Sequence, residues 1–210
     1  TFYQREIEAK FFRHFLKEKG DGKVDLPEAW LFDTGKKEYR RFDRWPVPAA
    51  RKTSYFLQPG GKLANTAPNG GEAFSEYISD PMKPVPSSEE EGEMFGFTPF
   101  RYMSGDQRFA ASRPDVLVFR TDVLDRDIML GGEITAKLKI STTGTDADFF
   151  VKLVDVYPDD APNHPHMPNQ NVLLASYQQM VRSEIMRARF RNSFEKPEPL
   201  APGQPTDLTF

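Results

Sequence analysis

The chain has 210 residues, 38% of them hydrophobic and 28% charged, and its 18 Phe, 7 Tyr and 2 Trp suffice to build a core, which excludes a disordered chain. A net charge of -3 argues against a general nucleic-acid binder, which carries a basic excess. The absence of cysteine excludes disulfides, Cys-ligated zinc, iron–sulfur clusters and a cysteine nucleophile, while leaving the redox compartment open.

Residues 2–19 carry Ile7, Phe11, Phe12, Phe15 and Leu16 at spacings of three and four, among Lys, Arg and Glu. That period predicts a helix with one apolar face, stopped by Gly20-Asp21-Gly22. An aromatic stripe of this kind needs a partner surface. The pattern starts at once after Thr1, with no initiator Met and no signal peptide, and Thr206–Phe210 reads as a strand with no turn after it. A piece of a longer protein is therefore expected.

From Glu28 the texture changes to strands and turns. Trp30-Leu31-Phe32, then 34–38, then 39–45 reads as a hairpin. A second, shorter hairpin is expected from Tyr55-Phe56-Leu57 through Pro59-Gly60-Gly61 to Lys62-Leu63-Ala64. Residues 65–99 are rich in Pro, Gly, Ser and Glu, with seven acidic residues and one Lys between Glu72 and Glu93. They read as a solvated excursion in preference to a binding segment.

Strand signals strengthen after residue 115. Val116, Val118 and Arg120 alternate with Leu117, Phe119 and Thr121; Ile134, Ala136, Leu138 and Ile140 alternate with Thr135, Lys137, Lys139 and Ser141. Residues 149–156 and 172–180 continue the period of two. Strands broken by Pro and Gly, without helices between them, predict an antiparallel sandwich. No run of about 18 apolar residues occurs, the length a membrane-crossing helix needs.

The chemistry is sparse. No Ser has Gly two positions before it, so a Gly-x-Ser-x-Gly nucleophile elbow is absent, as are the phosphate loop, the dinucleotide fingerprint and His-Glu-x-x-His. His164 and His166 could begin a metal site, but the third histidine, His14, lies far off on the helix; a solvated loop is the plainer reading. Asp146 and Asp148 have a spacing that can hold calcium, but capping of amides or pairing with Arg is the preferred reading. Arg187, Arg189 and Arg191 are expected on one face of a strand, where they would meet an anion or, in the preferred reading, acidic neighbours. Trp30 and Trp45 are read as core in preference to a sugar platform.

Five stretches carry a resemblance. They are Asp106-Gln107-Arg108-Phe109, Arg113-Pro114-Asp115-Val116-Leu117, residues 141–149, residues 152–159 and residues 187–197, with Tyr77-Ile78-Ser79-Asp80-Pro81 and Pro84-Val85-Pro86 in support. Together they resemble the C-terminal domain shared by X-prolyl dipeptidyl-peptidases, cocaine esterase and α-amino-acid ester hydrolases. The resemblance implies a mostly β, jelly-roll sandwich similar to galactose-binding domains over 21–210, preceded by residues 1–20 as the last helix of an α/β-hydrolase domain. It further implies a Ser-Asp-His triad upstream of Thr1, so that no catalytic, cofactor-binding or metal-binding residue is assigned here and no cofactor is expected. The implied partners are the upstream hydrolase domain of the same polypeptide and further copies in a homo-oligomer, with neither nucleic acid nor membrane. Relatives suggest an envelope or secreted enzyme slightly ahead of a cytoplasmic one. The competing reading is a carbohydrate-binding or oligomerisation module without a hydrolase role.

Overall fold

A computed structural model describes residues 1–17, 23–70, 74–89, 103–163 and 172–210. Among the described residues it is mostly β, with eight strands, two α-helices and three short π or 3₁₀ segments. The strands form four antiparallel two-stranded ladders. The chain divides into two compact units, one made of 1–53 with 125–133 and the other of 54–124 with 134–210.

In the first unit, Tyr3–Glu8 forms π-helical turns that run into α1 (Ala9–Lys17). The junction is marked by the Ala9 N–H donating to the Gln4 carbonyl, a step of five residues. The stop signal at 20–22 lies outside the described residues. The predicted hairpin is present as β1 (Ala29–Asp33) and β2 (Glu38–Phe42). Asp33 closes its turn by accepting the Lys36 N–H at 3.0 Å, and Lys37 takes the left-handed conformation that the reversal requires. Phe32 and Tyr39 face each other across the ladder and meet edge to face at 5.0 Å. Phe2 stacks on Tyr39 at 4.9 Å and meets Trp30 at 5.7 Å, which joins the start of the chain to the hairpin.

In the second unit, β3 (Phe56–Gln58) and β4 (Lys62–Ala64) make the expected short hairpin. Its turn needs glycine at 61. The φ there is +74°, and a Cβ would stand 2.9 Å from the Val118 carbonyl oxygen. The expected strand at 116–121 is not one. That stretch contributes a single parallel bridge, Arg120 to Lys62, with the Leu63 N–H on the Arg120 carbonyl and the Arg120 N–H on the Gly61 carbonyl. Alternation reports which side chains face inward, and an extended chain laid on a hairpin satisfies it without a ladder.

A four-residue helix, α2 (Arg108–Ala111), was not expected. The alternation at 134–141 is realised in β5 (Lys137–Ile140), where Leu138 and Ile140 turn inward while Lys137 and Lys139 are exposed. β5 pairs with β8 (Thr206–Thr209), placing Leu138 opposite the fully buried Leu208. β6 (Asp148–Val156) pairs along its length with β7 (Gln178–Arg187), with one irregularity at Leu153/Val154. The strand expected from residue 172 thus begins only at Gln178. The core of this unit is Ala110, Leu174, Tyr177, Met180, Ala188, Leu200 and Leu208.

Candidate functional surface

Charged side chains gather where β6 begins and β7 ends. Asp148 and Arg187 are direct cross-strand partners, and the guanidinium grips the carboxylate with both arms, at 2.7 and 2.8 Å. The Arg187 hydrogen bonds hold the Asp148 carboxyl below the usual range. Asp146 accepts the Arg189 backbone N–H at 3.0 Å and makes an ion pair with its Nε at 2.7 Å; that N–H is not aligned for a hydrogen bond. Arg191 Nη1 donates to the carbonyls of Ala188 and Glu198. All three arginines therefore have protein partners.

The three do not share a strand face, which corrects the expectation. The chain leaves β7 at Arg187 and turns through one 3₁₀ turn, Ala188–Phe190. Ala188 is completely buried and its N–H donates to the Ala147 carbonyl. The backbone is thereby drawn inward at the point where a continuing strand would carry Arg189 outward.

A second cluster was missed by sequence reasoning. Lys152 Nζ donates to Gln107 Oε1 at 2.7 Å and lies 5.8 Å from the centre of the Phe109 ring. Gln107 is buried and donates its own Nε2 to the Gly105 carbonyl. Burial lowers the Lys152 pKa. The loop is further tied by the Tyr177 hydroxyl on the Ser104 carbonyl at 2.5 Å and by Asp106 gripping Arg108. The available signal was a lone Lys within the apolar run Phe150-Val151-Lys152-Leu153-Val154.

The first unit presents an apolar helical face. Phe11, Phe12, Phe15 and Leu16 of the predicted stripe are exposed. Trp30 sits in the aromatic cluster, with its indole Nε1 buried and without a hydrogen bond among the described residues. Trp45, expected in the core, is 37% exposed. With Leu31, Phe32, Pro46, Leu130 and Glu133 it lines an open cleft of about 530 Å³.

His14 lies edge-on to Phe15 at 4.6 Å. His164 and His166 lie outside the described residues. Among the described residues no three His, Asp or Glu side chains converge as metal ligands. Asp146 and Asp148 are engaged by arginine instead.

Residues 22–210 match the family described as the X-Pro dipeptidyl-peptidase C-terminal non-catalytic domain, and the chain belongs to that family. It is 34% identical over 157 residues to cocaine esterase of Rhodococcus sp. (strain MB1 Bresler), a match covering 71% of this chain and 27% of that protein. Among solved structures it is similar to an aminopeptidase from a marine sediment archaeon, Thaumarchaeota archaeon, with a TM-score of 0.86 at 34% identity, over 100% of this chain and 33% of that one. An α-amino-acid ester hydrolase gives 0.84 at 34% identity, over 100% and 34%. The chain thus spans about a quarter of the curated relative and a third of the solved ones. The family resemblance read from the sequence is borne out, and a carbohydrate-binding or oligomerisation module without a hydrolase role is not favoured.

Proposed function

We propose that the polypeptide carrying this chain is a serine hydrolase of ester or amide bonds, and that these 210 residues buttress its catalytic domain and help wall the substrate pocket. The observation that carries this reading is the match of 22–210 to a non-catalytic hydrolase domain, together with esterase, aminopeptidase and ester-hydrolase relatives about three to four times as long.

In this reading residues 1–20 are the last helix of an α/β-hydrolase domain and 21–210 are a jelly roll. The start of the family match at residue 22 supports that boundary, and so does the exposed aromatic face of α1. The catalytic Ser, His and Asp lie upstream. There the serine attacks the acyl carbon, the histidine takes and returns its proton, and hydrogen-bond donors hold the oxyanion. Assembly into a homo-oligomer is part of the same proposal, supported by the exposed apolar side chains on both units. Labelling the intact polypeptide with a fluorophosphonate and mapping the modified serine tests the hydrolase reading.

A further inference from the structure

We propose that residues 74–89 are an anchored strap that docks on the N-terminal portion of the same polypeptide, with Phe74, Ile78 and Met82 as its contact side chains. The proposal deepens the reading above and rests on it, naming a segment that holds this domain to its catalytic neighbour.

The strap presents apolar groups to solvent. Phe74, Ile78 and Met82 are 84%, 86% and 85% exposed. Single exposed apolar residues are ordinary; three in one short stretch mark a contact surface. None of 74–89 belongs to a strand ladder. Pro81, Pro84 and Pro86 lack backbone donors and fix φ, which suits an extended segment laid on a surface and not a central strand.

The strap is also held in place. Arg113 donates Nε and Nη2 to the Asp115 carboxylate at 2.8 and 2.7 Å, and the same Nη2 donates to the Lys83 carbonyl at 3.0 Å. The arginine is oriented by its carboxylate and so clamps the middle of the strap. Nearby, Asp80 accepts the Met82 N–H with its side chain and the Lys83 N–H with its carbonyl. A segment ordered before it docks loses less conformational entropy on docking.

The occupant follows from length and charge. The solved relatives share the fold over this whole chain, and about two-thirds of each lies outside the match. A covalently joined neighbour meets the strap at high effective concentration. A second copy is the poorer fit. The described strap carries Glu76, Asp80 and Glu89 against Lys83 alone, so two straps in a two-fold contact would set like charges face to face.

The test uses the intact polypeptide with Ile78 replaced by p-benzoylphenylalanine, a position exposed enough to accept the larger side chain. On irradiation, a cross-link within one polypeptide is expected, mapping to a peptide that precedes residue 1 of this chain. A product of doubled mass, a cross-link confined to residues 1–210, or no cross-link overturns the proposal. In parallel, Arg113→Ala is expected to speed exchange of the Met82 and Lys83 amides, the two that hydrogen-bond to Asp80, by roughly tenfold or more; unchanged exchange at those two amides overturns the clamp. Fluorophosphonate labelling of the same sample separates the two readings. A labelled upstream serine without the cross-link removes the strap and leaves the hydrolase, whereas the cross-link without labelling does the reverse.

Discussion

Lys152 on β6 reaches the buried amide of Gln107, 45 positions earlier in sequence, at 2.7 Å. The amide is oriented by its second bond, to the Gly105 carbonyl, so Oε1 faces the ammonium. The contact adds a side-chain pin from β6 to the 103–109 loop, whose backbone is already joined to β7 by the Gln107 N–H on the Gln178 carbonyl. Lys152→Met keeps the apolar stem and strands Oε1 without a donor. Leaving a buried carbonyl unsatisfied costs about 1–3 kcal/mol. The expected outcome is a lower urea midpoint for the intact polypeptide; an unchanged midpoint contradicts the pin.

The Asp148–Arg187 pair makes stability depend on pH in a defined direction. The Asp148 pKa is lowered in the fold by its bonds to Arg187. A carboxyl of this kind contributes stability above its unfolded pKa of about 3.9 and loses the contribution as pH falls from there through the folded value. Asp148→Asn is therefore expected to lower the melting temperature near neutral pH and to flatten its decline below about pH 4. Parallel curves for the two proteins at acid pH would show that the pair is not coupled to folding.

Core packing gives a larger effect. Leu208 is 1% exposed and lies opposite Leu138 in the β5–β8 ladder. Leu208→Ala removes buried methyl groups and leaves a cavity, at a cost of about 2–5 kcal/mol. Val123→Ala, at a fully exposed position of the same unit, serves as the contrast and is expected within about 0.5 kcal/mol of the parent. Equal losses at the two positions would refute the assignment of the core.

Gly61 supplies a backbone test. Its left-handed φ and the nearby Val118 oxygen leave no room for a side chain. Gly61→Ala is expected to destabilise by about 1–2 kcal/mol from the conformation alone, with the clash added. Gly203 has nearly the same φ, +73°, and open space around it, so Gly203→Ala isolates the conformational part. A Gly61 variant no worse than the Gly203 variant would remove the close approach of 118 to the hairpin.

Much of this was legible in the sequence where local chemistry decides the backbone. The two hairpins follow from turn residues at 33–37 and 59–61, and the α1 stripe follows from its spacing. Asp146 and Asp148 share a spacing of two with Arg187 and Arg189, so their pairing was readable even though the strand beneath the arginines was not. What failed depended on contacts distant in sequence. Ala188 is drawn inward by the Ala147 carbonyl, residues 116–121 lie on a hairpin without joining a ladder, and Lys152 looks for its partner in a loop far upstream. The hydrolase assignment was never legible from spacing. The family came from whole stretches such as 106–109, 113–117 and 187–197, and it is the family that is described as a non-catalytic domain.

The most direct measurement is active-site labelling of the intact polypeptide with a fluorophosphonate, followed by peptide mapping. One modified serine outside residues 1–210 is the predicted result and places the chemistry in the neighbouring domain. A modified serine within these residues would contradict the account and make this chain the seat of catalysis.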